Sequence, residues 1–223
     1  MAMNGSRGSD RGDADLLAQV RWIPASESPL GIELLDCRPF ARAMLSWTPD
    51  PAIGERFLAL REALGGEQRD AVLAPATSAE CALAYPHRGE TRDGPLFKAE
   101  AMEDKWDIYL YDQHLYFARS WTGDLCLRAR MRFSEDEAEL LAVTAREDLV
   151  GGDPGYAVAM VDFPIRSHLY RRVSPHPLPA RLGRDTAELA LFSFSQYGRW
   201  GLYGSFADAT ALPLFDPAAE LEP

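Results

Sequence analysis

The sequence lacks a long apolar run. No segment approaches the roughly 18 consecutive apolar residues that a membrane-spanning helix needs. The N-terminal segment, residues 1–17, also lacks the apolar stretch of a secretory signal peptide. These absences argue against a helical membrane protein and a secreted precursor, so we expect a cytoplasmic protein.

Cysteine is scarce, and its spacing excludes the common metal and redox motifs. Cys37, Cys81 and Cys126 are single and far apart, so the sequence contains no CxxC pair. Lone cysteines of this kind usually behave as small core residues. His168 and His176 lie eight residues apart across a proline-rich loop and match no standard zinc spacing. We therefore predict no metal and no cofactor.

Sequence motifs that identify a type of enzymatic reaction are also absent. Ser193 and Ser195, in FSFSQYG, lack the GxSxG pattern of a nucleophile elbow. The glycines of YGRWGLYGSF do not fit the GxGxxG pattern of dinucleotide-binding proteins. No catalytic residue can be assigned, and the sequence leaves open whether the protein is an enzyme.

The net charge limits the kind of partner, and the length of the chain limits the number of domains. With 34 acidic and 23 basic side chains the net charge is −11, which opposes non-specific binding to nucleic acid or to an anionic membrane surface. A chain of 223 residues fits one domain. We predict a disordered leader at 1–15, a single domain at 16–212 and a loose C-terminal tail at 213–223.

Period-two alternation dominates residues 105–146. The segments KWDIYLY, HLYFARSW and LCLRARMRF each alternate large apolar residues with polar ones, and the short connectors DQ and TGD join them. This pattern predicts an antiparallel β-meander. The next segment, AELLAVTARE, suits either a fourth strand or a helix.

Helices are predicted on both sides of this meander. Residues 51–64 have helical spacing, with Thr48 or Asp50 as N-cap and Gly65-Gly66 as the stop. The segment YAVAMVDFPIRSHLYRR reads as helical with a kink or restart at Pro164. The segment DTAELALFSFSQYG reads as a capped helix, and RWGLYGSF as an edge strand. We predict an α+β fold with helices packed on one face of the antiparallel sheet.

Arg119 is the most informative single residue. Alternation places it on the same strand face as Leu115, Phe117 and Trp121, which should be buried. A buried guanidinium requires a carboxylate or carbonyl partner. One interpretation is a structural ion pair with Glu103 or Asp104. The other is an anion-binding arginine beside Trp121 as a stacking face.

A second basic feature lies on the following predicted strand. Arg128, Arg130 and Arg132 share its other face and would suit a phosphate-binding strip. Because the protein is acidic overall, we favour a solvated sheet face on which these arginines pair with nearby glutamates of residues 135–147.

The segment EDKWDIYLYDQHLYFARSWTG resembles a recurring pattern in a family of uncharacterised bacterial proteins, K-W-x-I-Y followed by a turn and L-Y-F-x-R-S-W-T-G. Flanking pieces such as LLDCRPF, DPAIGERFLALR, DFPIRSHLY and FSFSQYGR extend the likeness over about residues 30–206. The family has no established activity. The resemblance implies a shared fold and a shared site around Lys105, Arg119 and Trp121, and it assigns no catalytic residue.

Two functions follow as expectations. In the first, favoured by the missing catalytic signature, the protein is a non-enzymatic interaction domain, RSWTG is a structural corner, and the acidic charge suits a basic protein partner. In the second, the protein binds a small anionic molecule such as a nucleotide, or acts on one. Arg119 would then hold the anion and Trp121 would stack, with Lys105, Asp104 or His168 assisting.

Overall fold

The computed structural model describes residues 9–214. The chain divides into two compact units. We call residues 9–46 together with 172–214 the terminal unit, and residues 47–171 the central unit. Much of the predicted leader and tail lies outside the described residues, and the division into one domain with two loose ends stays a prediction.

The described residues contain six α-helices and ten β-strands. The helices are α1 (Ser9–Leu17), α2 (Arg38–Ala43), α3 (Pro51–Glu62), α4 (Glu147–Val150), α5 (Pro154–Pro164) and α6 (Thr186–Tyr197). The strands are β1 (Arg21–Ile23), β2 (Leu34–Asp36), β3 (Ala76–Pro86), β4 (Gly94–Phe97), β5 (Trp106–Tyr111), β6 (His114–Arg119), β7 (Leu125–Phe133), β8 (Glu137–Arg146), β9 (His176–Pro177) and β10 (Tyr203–Ser205).

The terminal unit is built on a small mixed sheet of order β1-β2-β10-β9, in which β9 and β10 are parallel. The prediction of an edge strand in RWGLYGSF is therefore wrong about its position, because β10 lies between β2 and β9. Gly204 makes this position possible. A Cβ atom there would lie 2.9 Å from the His176 ring and 3.0 Å from the Leu178 side chain, so the close approach requires glycine.

The central unit carries the predicted meander. Strands β4 to β8 pair antiparallel in chain order, and β3 adds to β8, which gives the order β3-β8-β7-β6-β5-β4. The ambiguous segment after β7 is a strand rather than a helix. Ala138, Leu140, Val143 and Ala145 are buried along it, and this burial stabilises a strand packed on a core face. The predicted α+β fold with an antiparallel sheet is confirmed.

Strands β3 and β4 are neighbours in sequence but occupy opposite edges of this sheet. Five strand spacings separate the two edges, which is about 24 Å if the sheet is flat. Residues 87–93 connect Pro86 to Gly94, and a chain of that length reaches at most about 28 Å. This segment, the crossing loop, is therefore long enough to pass the ends of the four inner strands, and it bends at Gly89, whose φ is 92°.

Helix α5 lies against one face of the sheet. It contacts β3 and β8, and its continuation at Ile165–Leu169 contacts β4. The continuation is π-helical, with the Tyr170 N–H donating to the Ile165 carbonyl over 3.1 Å. At the predicted kink or restart, the α-helix ends at Pro164 and the π-helical turn follows it directly. The proline ring lacks an N–H and crowds the preceding turn, and a widened turn relieves that conflict.

Helix α3 begins as predicted, because the Asp50 carboxylate accepts a hydrogen bond from the Ala52 N–H over 2.9 Å. It ends at Glu62, before the predicted glycine stop. Gly65 takes a left-handed conformation with φ of 78° beyond the helix and lies directly against the ring of Tyr109. The glycine serves this close contact rather than the helix end.

A buried polar cluster joins the end of α3 to strand β5. The Lys98 ammonium donates to the Leu60 carbonyl (2.8 Å), the Asp107 carboxylate (2.6 Å) and the Tyr109 hydroxyl (2.7 Å). The other Asp107 oxygen accepts from the Ala99 N–H over 2.8 Å. Asp107 and Tyr109 are both buried, and burial beside Asp107 raises the pKa of Tyr109, so the tyrosine stays a neutral donor.

Two glycine-to-alanine substitutions in this region should have opposite effects. In Gly65→Ala the new Cβ would meet the Tyr109 ring at 2.3 Å in a left-handed backbone conformation, which should lower the free energy of unfolding by at least about 2 kcal/mol. Gly54 lies inside α3 with open space around it, so Gly54→Ala should raise that free energy by about 0.5–1 kcal/mol. Urea denaturation of both variants measures the two shifts. Equal shifts would contradict the contact between Gly65 and Tyr109.

Candidate functional site

The structure brings four of the five predicted site residues into one corner at the start of β5 and the end of β6. Asp104 and Lys105 precede β5, and Arg119 and Trp121 end and follow β6. The register of the two strands places Trp106 opposite Arg119. The hairpin geometry alone therefore accounts for the closeness of these residues.

Asp104 and its neighbours close this corner with hydrogen bonds. The buried Asp104 carboxylate accepts from the N–H groups of Glu100 (3.0 Å) and Ala101 (3.3 Å). The Asp104 carbonyl accepts from the buried Ser120 hydroxyl over 2.5 Å. The Trp121 indole N–H donates to the Met102 carbonyl over 2.8 Å. These contacts hold the loop before β5 against the turn after β6.

Arg119 and Trp121 each pair with a different neighbour. The Arg119 guanidinium lies over the ring of Trp106, 4.3 Å from its centroid. The Lys105 ammonium lies over the ring of Trp121, 4.8 Å from its centroid. Each arrangement is a cation–π contact. The corner thus holds two stacked cation–indole pairs, and Lys105 covers one face of the Trp121 ring that the sequence offers as a stacking face for a ligand.

Lys105 has an altered acidity. Its ammonium donates to the Met102 carbonyl over 2.9 Å. Burial and, to a smaller extent, the positive charge of Arg119 together lower its pKa to about 8, although the charges of Glu103 and Asp104 act in the opposite direction. The pKa in the folded state is below the unfolded value, so between about pH 8 and 10.5 the unfolded chain binds more protons. The contribution of Lys105 to stability therefore rises with pH across that window.

His168 lies on a different element from the other four residues. It belongs to the π-helical turn, where its ring packs edge-on against Phe97 at 4.7 Å and its Nδ1 lies 2.8 Å from the Ser167 hydroxyl. His176 belongs to the terminal unit and stacks on Tyr197. Burial lowers the pKa of His176 to about 3, so this imidazole is neutral. Among the described residues no group of His, Cys, Asp or Glu is arranged to hold a metal ion.

The arginine stripe of β7 faces away from α5, and two of its members form ion pairs. Arg130 pairs with Glu80 at 3.0 Å, and Arg132 pairs with Glu139. Arg132 and Glu139 are cross-strand neighbours, as the solvated-face interpretation predicts. Exposed pairs of this kind contribute little to stability.

A cavity lies at the opposite end of the same strands. We call it the meander cavity, and its volume is about 350 Å³. The sheet supplies apolar walls, and the π-helical turn covers one side with Ile165, Leu169 and Tyr170. Besides Tyr85, the sheet residues that line it are Pro86, Leu96, Leu110, Leu115, Met131, Phe133 and Ala138.

The crossing loop forms the polar side of this cavity. Its lining residues are His87, Arg88, Glu90, Thr91 and Arg92. Beside the loop, Tyr85 lines the cavity and donates its hydroxyl to the buried Asp162 carboxylate over 2.7 Å. Asp162 also accepts from Arg166 at 2.6 Å. This fixed network holds the wall formed by Tyr85.

None of the five predicted site residues is among the described residues that line the meander cavity. Sequence reasoning missed the cavity because its walls come from all six strands and one helical turn. Alternation does place Leu110, Leu115, Met131 and Phe133 on one sheet face. No local pattern shows where that face is left uncovered.

Comparison of the chain with protein-family models, with curated proteins and with solved structures finds no match. Among the described residues, no helix has the length and apolar character needed to cross a bilayer.

The three cysteines are unpaired thiols, and burial raises the pKa of Cys37 to about 12. Because no similar protein is found, we infer function from the geometry of the RSWTG corner and of the meander cavity, which lie at opposite ends of the meander strands.

Lys105 should be the more reactive of the two lysines in the chain. Lys98 and Lys105 are the only lysines in the sequence. With a pKa of about 8, about half of Lys105 is free amine at pH 8, against about 0.3% for an ordinary lysine. Lys98 reacts only after its three hydrogen bonds break. Reductive methylation followed by peptide mass spectrometry should therefore label Lys105 first at pH 8.

Two controls define this labelling experiment. In urea the two lysines should react at similar rates, because neither keeps its folded environment. In Arg119→Gln the midpoint of Lys105 labelling against pH should move upward, because the nearby positive charge is gone. A labelling midpoint near that of an ordinary lysine in the native protein would contradict the buried position of Lys105.

Proposed function

We propose that the protein is a non-enzymatic binding protein whose central unit takes a small, largely apolar molecule into the meander cavity. The observation that carries this proposal is the cavity itself: about 350 Å³ with apolar walls and a few polar groups on one side. Cavities of this size and character are typical of small-molecule sites. The proposal keeps the non-enzymatic class expected from the sequence and locates the binding site at the other end of the meander.

The RSWTG corner has a structural role in this proposal. The hydrogen bonds of Asp104, Ser120 and Trp121 are directed to the neighbouring backbone, so these groups close the corner. This supports the interpretation of RSWTG as a structural corner. A closed corner also fixes the register of β5 and β6, whose other ends carry Leu110 and Leu115 in the cavity wall.

We place the protein in the cytoplasm as part of the same proposal. Free cysteines persist in a reducing compartment, and all three cysteines of this chain are unpaired. The net charge of −11 disfavours nucleic acid as the ligand.

A homologous series of neutral alcohols tests the cavity. If the alkyl chain of the alcohol enters the meander cavity, the affinity measured by calorimetry should rise about fourfold per added methylene from hexan-1-ol to octan-1-ol. Each alcohol should also raise the melting temperature of the protein. Leu96→Asp places a charge in the cavity wall and should weaken octan-1-ol binding about tenfold.

Leu58→Asp is the matched control for Leu96→Asp. Leu58 lies on α3 and Leu96 on β4, and both side chains are substantially exposed, at 59% and 45%. Neither substitution should unfold the protein, and only Leu96 lines the cavity. An affinity that does not depend on chain length, or an equal loss in both variants, would rule out the cavity as the binding site.

A further inference from the structure

The side of the meander cavity that the crossing loop forms, which we call its mouth, carries an excess of positive charge. The crossing loop contributes Arg88 and Arg92 to the lining, together with one acid, Glu90. In the described part of the chain Arg88 forms no ion pair. Arg92 approaches Glu90 at 3.8 Å, with both side chains 86% exposed. A contact this long and exposed is weak, so both guanidinium groups are available to a ligand.

The beginning of the crossing loop is fixed in place. The His87 ring donates from Nε2 to the Gly89 carbonyl over 3.1 Å and packs on Phe133 at a centroid distance of 5.3 Å. The His87 N–H donates to the Asp136 carbonyl over 2.9 Å. These contacts place Arg88 beside the cavity in the free protein, so binding does not have to order the whole loop.

We infer that the ligand is an amphipathic anion, with its apolar chain inside the meander cavity and a carboxylate at the mouth, bound by Arg88 and Arg92. This inference rests on the proposed function. A guanidinium binds a carboxylate through two parallel hydrogen bonds, and the apolar walls exclude a ligand that is charged along its whole length.

The volume of the cavity limits the chain length of this ligand. Benzene fills an apolar cavity of about 150 Å³. On that scale a cavity of about 350 Å³ holds at most about fourteen carbon atoms. Medium-length acyl chains fit this limit, and an eight-carbon chain leaves room for the head group to reach the loop.

Because the protein is strongly acidic, the sign of the charge on the preferred ligand tests the inference directly. A net charge of −11 produces a long-range field that attracts cations and repels anions. Preference for an anion at this site therefore requires the local charges of Arg88 and Arg92 to exceed that background.

Three eight-carbon ligands that differ only in head group test the inference by calorimetry at low salt. We expect octanoate to bind about three- to tenfold more tightly than octan-1-ol, and octylammonium to bind least. The variants Arg88→Gln and Arg92→Gln should each reduce the ratio of octanoate affinity to octan-1-ol affinity. Arg61→Gln, on α3 and outside the cavity lining, makes the same change in net charge and should leave the order of the three ligands intact.

The possible outcomes separate this inference from the proposed function. If octan-1-ol binds and octanoate is no tighter, or if octylammonium binds at least as well as octanoate, the ligand is not an anion and only the cavity proposal stands. The same holds if both cavity-mouth variants keep the octanoate preference. If none of the three ligands binds, the proposed function itself fails. A preference for octanoate that shrinks as salt increases and disappears in the two variants supports the inference.

Discussion

The strand order of the central unit constrains everything built on it. Strands β3 and β4 follow each other in sequence and occupy opposite edges of the sheet, so the crossing loop must pass the ends of β8, β7, β6 and β5. Five residues of this loop line the meander cavity and form its polar side, opposite the π-helical turn.

The two faces of β5 have separate functions in this arrangement. Trp106, Ile108 and Leu110 are buried on the face that α5 covers, whereas Asp107 and Tyr109 point to the other face, where Lys98 and Gly65 meet them. All three hydrogens of the Lys98 ammonium are directed to acceptors. Hydrogen bonds are directional, so these three contacts orient the end of α3 relative to β5. The cluster thus fixes α3 to the sheet, and the apolar face remains available for the cavity.

Sequence reasoning predicted local features well because they depend on neighbours in the chain. Alternation identified β5 to β7, since period two is visible wherever one face is buried and the other is polar. The caps at Asp50 and Asp185 follow from side chains that bond within their own helix turns. The closeness of Lys105, Arg119 and Trp121 follows from a hairpin register, which a two-residue connector determines.

The features that escaped prediction depend on distant contacts. Pairing of β3 with β8 joins residues about 60 positions apart, such as Ala79 and Val143, and no local pattern encodes that choice. The inner position of β10 depends on Gly204 fitting against His176 and Leu178. The stacking of Arg119 on Trp106 depends on the cross-strand register of β5 and β6.

The π-helical turn at Ile165–Leu169 adds a different kind of control over the cavity. A π-helical turn is in effect one residue inserted into an α-helix, and each residue rotates the following side chains by about 100° around the helix axis. Ile165 and Leu169 line the cavity at opposite ends of this turn, so their alignment depends on the number of residues between them as well as on their identity. Deleting a single residue there would change the shape of the cavity wall while the composition of the remaining lining stays the same. Chain length within one helical turn is thus a means of altering the shape of this cavity that point substitution does not provide.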